Sequence, residues 1–318
     1  MEVRKVNGFF IIFVIGYIGL SVVCASIMAY AQNSGIAVPD WIQYVMSEGI
    51  ILLIAIIYMI GQKIDPIREI PYKRIGIVDV ILSLVAGYCL IPAVLLISNL
   101  SMLFSTNYLE EGTTTLLTYP FAMQVILLAV IPPLVEELIF RGIFFGSYRK
   151  AGMTGAALMS GLLFGCFHLN INQALYAFVM GIVFAYMVEA TGSLWSSVIA
   201  HFAVNTYSIG IVQILKMAGI YAQDGSVSET FENAESVAGQ STAVTVVQIA
   251  MIAVIAAVFM MLAVLCIRTM AKRHGNLEKM KIQKVKLSHI KNYFTAPVIV
   301  GIVVCVMYMI MLEFSGTL

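Results

Sequence analysis

Two glutamates and an arginine stand in the stretch LVEELIFRG, residues 134–142, inside an otherwise apolar run. Glu137 and Arg141 are four apart, the spacing that brings side chains together on one helical face, with the acid on the favourable N-terminal side. They can neutralise each other. Glu136 is rotated by about 100° from Glu137 around a helix and must point elsewhere. One carboxylate is then structural and the other spare, and a spare carboxylate in a dry site is placed to act as a general base.

The same spacing recurs twice: Phe164 and His168 end FGCFH, and His201 and Asn205 end HFAVN. His201 and Asn205 offer two neutral hydrogen-bond donors side by side, suited to a developing oxyanion. A buried Glu–Arg pair alone is as readily a bridge that specifies the fold, and a lone histidine near a helix end says less still. Glu136, Glu137, Arg141, His168, His201 and Asn205 together, on three neighbouring spans, are harder to explain as structure only.

The elements that carry them are membrane helices. Of 318 residues, 61% are hydrophobic and 11% charged, with a mean hydropathy of +0.96, against about 25% charged in soluble domains. Apolar runs long enough to cross a hydrocarbon core of about 30 Å cover 8–30, 43–61, 78–104, 118–148, 154–168, 172–190, 193–215, 244–267 and 296–313. The predicted fold is an all-α, polytopic transmembrane helix bundle of about nine spans. Counted from the basic ends, Glu136 lies roughly 20 Å deep, His168 roughly 22 Å and His201 roughly 12 Å, so one cavity can hold all three. Pro132 and Pro133 remove two backbone donors just before the glutamates and should kink their helix, opening room for water.

Lys and Arg are sorted by loop. Arg4 and Lys5 precede the first span, Lys63, Arg68, Lys73 and Arg74 follow the second, Arg149 and Lys150 follow the fourth, and the segment 268–291 is strongly basic. These loops are expected in the cytoplasm, with the amino terminus inside and the carboxyl terminus outside. The other loops carry acids, namely Asp40, Glu110, Glu111, Asp224, Glu229, Glu232 and Glu235. The net charge of +1 is not pooled on a face, and no nucleic-acid partner is expected; lipid is. The basic segment, with Met280, Ile282, Val285, Leu287 and Ile290 interleaved, either lies on the inner leaflet or is a solvated loop that sets topology. The first apolar run exceeds a signal-peptide core of about 7–15 residues and reads as a span. Cysteines 24, 89, 166, 266 and 305 lack CxxC spacing and read as small buried hydrophobes. The chain divides into helices over 1–117, a core carrying the motifs over 118–215, and two last helices with their loops over 216–318.

EExxxR on one span, FxxxH on the next and HxxxN two spans later resemble the CPBP intramembrane proteases, the CAAX-processing and bacteriocin-processing (Abi) family that includes lysostaphin-resistance-like proteins. The resemblance covers about residues 118–210. It implies an intramembrane endopeptidase of a bacterial plasma membrane, acting on a membrane-associated or lipidated peptide or protein. In that reading Glu136 activates water with help from His168, Glu137 and Arg141 brace the site, and His201 with Asn205 bind the carbonyl oxygen. Two histidines and a glutamate could also supply a zinc set of the His₂Glu type. No HExxH is present, and the site already has a base and oxyanion donors, so catalysis without a cofactor is expected, with zinc as the alternative.

Two other classes fit buried Glu, His and Arg: a proton-coupled transporter, which would more naturally show paired repeats with broken helices, and a non-catalytic bacteriocin-immunity or scaffold protein. A serine type would show GxSG, whereas Ser160-Gly161 follows Leu158-Met159. An aspartyl type needs two membrane aspartates, and Asp79, at a helix start, is the sole candidate.

Overall fold

The computed structural model describes residues 3–106, 118–219, 242–282, 285 and 287–315, and these are helical with no strands. In chain order the helices are α1 (Val3–Asn33), α2 (Trp41–Gly61), α3 (Pro66–Glu69), α4 (Ile77–Ser101), α5 (Phe121–Ala151), α6 (Met153–Phe167), α7 (Ile171–Thr191), α8 (Trp195–Met217), α9 (Thr242–Arg273), α10 (Leu287–Tyr293) and α11 (Ala296–Ser315). Eight of them are long and apolar enough to span a membrane. The run expected over 154–168 is α6, whose 15 residues rise only about 22 Å. It falls short of the hydrocarbon thickness and ends inside the bundle, at His168.

α5 is not a uniform helix, and its sequence says why. Its stretches Val125–Val130 and Leu138–Phe145 are π-helical, separated by the α-helical Ile131–Glu137. Pro132 and Pro133 have no N–H. The carbonyl of Leu128 would take its helical hydrogen bond from residue 132 in an α-helix or residue 133 in a π-helix, so neither register can satisfy it. Asn205 of α8 does so, its Nδ2 donating to Leu128 O at 2.9 Å. The break in α5 thus fixes where α8 docks.

α4 packs against α7, α8 and α9. At Gly87 a Cβ would stand 2.4 Å from Ala200 O, so the α4 and α8 backbones touch one residue before His201. In lipid, helix association rests on such close packing more than on hydrophobic burial. On the other flank Phe9, Phe13, Tyr58, Phe140, Phe144 and Phe167 form stacked and edge-on ring contacts that join α1, α2, α5 and α6 beside the EExxxR segment. In the first turn of α4 a buried Asp79 accepts hydrogen bonds from Arg273 Nε at 3.0 Å and His274 Nε2 at 3.1 Å, a structural clasp onto α9.

Glu110, Glu111, Asp224, Glu229, Glu232 and Glu235 lie outside the described residues. In the basic segment, Met280 packs on the core while Ile282 is exposed. Cys89, Cys166, Cys266 and Cys305 are buried free thiols and Cys24 is half-buried.

Candidate active site

Glu137 and Arg141 meet as their spacing requires, Arg141 Nη1 lying 2.9 Å from Glu137 Oε1 with both side chains fully buried. The guanidinium also lies over the ring of Phe164, 4.2 Å from its centroid, and 5.2 Å from that of Phe184, a cation–π sandwich that offsets part of its desolvation. Room for it comes from Gly181 of α7, where a Cβ would sit 3.2 Å from Arg141 Nη2 and 2.6 Å from the Gly161 Cα of α6.

His201 of α8 joins this pair. Its Nδ1 is 3.1 Å from Glu137 Oε1, so the carboxylate that pairs with Arg141 also accepts from the imidazole. The other ring nitrogen, Nε2, faces Glu136 Oε2 at 3.7 Å, too far for a hydrogen bond and close enough for strong electrostatic contact. Glu136 thus makes no ion pair with Arg141, yet it faces the same imidazole that Glu137 does. This geometry changes the expectation that His201 is a neutral oxyanion donor. With the Nδ1 proton directed at Glu137, a neutral ring keeps only a lone pair at Nε2. His201 can donate there only as imidazolium.

Asn205 also departs from a freely available donor. One amide N–H is engaged by Leu128 O, which leaves the second for another acceptor.

His168 caps the end of α6, where Leu169 at φ +54° turns the chain and Asn170 caps α7 by accepting from Gln173 N at 3.1 Å. His168 Nδ1 lies 2.7 Å from Phe164 O. A carbonyl only accepts, so Nδ1 carries the proton and Nε2 is left as an acceptor. Phe164 ties the two histidines together, its ring meeting His168 at 4.7 Å and His201 at 5.9 Å, both edge-on.

Sequence reasoning missed Glu48 of α2. Its Oε2 is buried without a hydrogen bond, and its carboxyl interacts electrostatically with Glu136. Tyr17 of α1, bonded to Ser47 Oγ at 2.9 Å, and Tyr176 of α7 also interact electrostatically with Glu136. An acid within the run 43–61 was the available signal. Glu189 is 4% exposed and paired with Arg149, whose Nη2 is 2.7 Å from its Oε1.

Among the described residues no three His, Cys, Asp or Glu side chains are grouped to hold a metal ion. Glu137 is committed to Arg141 and His201, and His168 Nδ1 to a carbonyl, which leaves Glu136 and the Nε2 atoms of the two histidines as the uncommitted donors.

Residues 118–207 match the family described as type II CAAX prenyl endopeptidase Rce1-like. Over 88 residues, 27% of this chain and 36% of the relative, the chain is 33% identical to the "Putative membrane peptidase YdiL" of Bacillus subtilis (strain 168). The chain thus spans little more than a third of that relative's length. Over 175 residues, 54% of this chain and 95% of the relative, it is 26% identical to UPF0177 protein YxdF of Lactococcus lactis subsp. lactis (strain IL1403). No solved structure matches the chain significantly. All six motif residues fall within the segment that matches the Rce1-like family, in a multi-pass membrane protein.

Proposed function

We propose that the protein is an intramembrane endopeptidase that hydrolyses a peptide bond of a membrane-associated substrate with water activated by Glu136. The observation that carries this reading is the contact of His201 with both glutamates, Nδ1 to Glu137 and Nε2 toward Glu136, which sets a spare carboxylate beside a braced cation. Glu136 removes a proton from water as the oxygen attacks the scissile carbonyl carbon. His168 Nε2 accepts the water's second hydrogen bond and orients it. The oxyanion is met by His201 Nε2–H in its imidazolium form and by the free N–H of Asn205. On collapse the C–N bond breaks and the proton held by Glu136 passes to the leaving nitrogen. Glu137 and Arg141 hold His201 in its orientation.

No metal enters any step, and the substrate class rests on the domain resemblance and on the depth of the site. The test is a comparison of peptide termini in membranes with and without the protein. Termini that appear with the wild type and vanish with Glu136→Ala and His168→Ala, at equal protein levels, support the reading. Full cleavage by both variants would end it.

A further inference from the structure

On the side of the bundle where the basic segments lie, a cavity of about 480 Å³ runs in among the ends of α5 and α7, the strap after α3 and the segment after α9. None of the catalytic steps uses it. Its lining includes four lysines and arginines, Lys73, Arg141, Arg149 and Lys279, against two acids, Glu69 and Glu189. Glu189 is occupied by Arg149, which it meets through both carboxylate oxygens. Lys279 Nζ donates to the neutral Asn276 Oδ1 at 2.9 Å, so its charge stays uncompensated there. The Lys73 side chain makes no ion pair or hydrogen bond among the described residues, yet its backbone is fixed in place. Ser193 Oγ donates to Lys73 O, and Leu194 N donates to Pro71 O at 2.7 Å.

A second, independent observation comes from Arg141. Its side chain is fully buried, and although it is ion-paired with Glu137, none of Nε, Nη1 and Nη2 has an acceptor in hydrogen-bonding geometry. Buried donors of this kind are almost always met by an acceptor, from protein, water or ligand. Arg141 lies eight residues before Arg149, roughly 12 Å of helix rise, so the cavity reaches from the helix ends well into the bundle.

We propose that this cleft, with Lys73 and Lys279 as its unpaired cations and Arg141 as its buried donor, binds a phosphate group. A phosphate presents several anionic oxygens in different directions and can engage cations on separate segments, as basic pockets between helix ends do with lipid head groups. The inference does not depend on peptide cleavage, because binding is read directly.

The experiment uses the full chain in phosphatidylcholine nanodiscs. Inorganic phosphate is titrated in one arm and phosphatidylglycerol is incorporated in the other, with thermal stabilisation and native mass spectrometry as readouts. The wild type binds, and Lys73→Gln/Lys279→Gln weakens binding by about thirtyfold, roughly fivefold per lysine. Lys73→Arg/Lys279→Arg retains binding, and both double variants melt with the wild type when no anion is added. Binding of phosphatidylglycerol alone assigns the site to lipid, and binding of both anions assigns it to the phosphate group itself. No binding in either arm, or equal binding by the glutamine variant, would overturn the proposal.

Discussion

Neutralising both members of the buried Glu137–Arg141 pair should cost less than the sum of neutralising each one alone. Both side chains are fully buried and 2.9 Å apart, so Arg141→Met strands a carboxylate that keeps only His201, and Glu137→Gln strands a guanidinium. Breaking a buried pair from one side costs about 3–5 kcal/mol. At about 2.1 cal/mol/K per residue, the 318 residues turn that into a loss of about 5–7 °C in Tm. The double variant Glu137→Gln/Arg141→Met removes both charges while an amide oxygen still accepts from His201 Nδ1. Its Tm should lie above the sum of the single losses, with a coupling of about 2–3 kcal/mol, although it is expected to be inactive because His201 loses the partner that supports its imidazolium form. The assay is thermal unfolding of the four proteins in one detergent. Strictly additive losses would refute the view that these charges compensate each other in the core.

Asn205→Ala should lower stability by about 1–3 kcal/mol by orphaning Leu128 O, and Asn205→Asp by more, since a carboxylate oxygen would face that carbonyl; unfolding midpoints check both. Gly181→Ala should destabilise by about 1–3 kcal/mol through overpacking, because its Cβ would meet Gly161 at 2.6 Å, and a Tm equal to the wild type would contradict the close approach. Glu48→Gln should not lower Tm, because its Oε2 loses no hydrogen bond and a like charge near Glu136 is removed. Metal analysis of active protein should find less than stoichiometric zinc, with cleavage unchanged by a chelator. Stoichiometric metal together with activity lost to the chelator would reverse the choice of mechanism.

What could be read in advance was what helix periodicity alone dictates. The pairing of Glu137 with Arg141 and the shared face of Phe164 and His168 follow from local spacing. Contacts between helices do not. Glu48 reaches Glu136 because α2 packs beside α5, and nothing in the spacing of residues 48 and 136 announces it. The two prolines foretold a break in α5, but not that Asn205, 77 residues beyond Leu128, would fill the vacancy and so spend a donor assigned to the oxyanion. The short α6 was legible only as an apolar run, since hydropathy does not mark where a helix stops inside a bundle.

The central claim is that the Glu136 carboxylate takes the proton from water. Its most direct measurement is the single-turnover cleavage rate of Glu136→Gln beside wild type, on one reconstituted substrate, with the melting curves of both proteins recorded. The account predicts a rate lower by at least about 10²-fold, the usual worth of a general base, with Tm within a few degrees. Cleavage at near wild-type rate by the folded glutamine variant would contradict it.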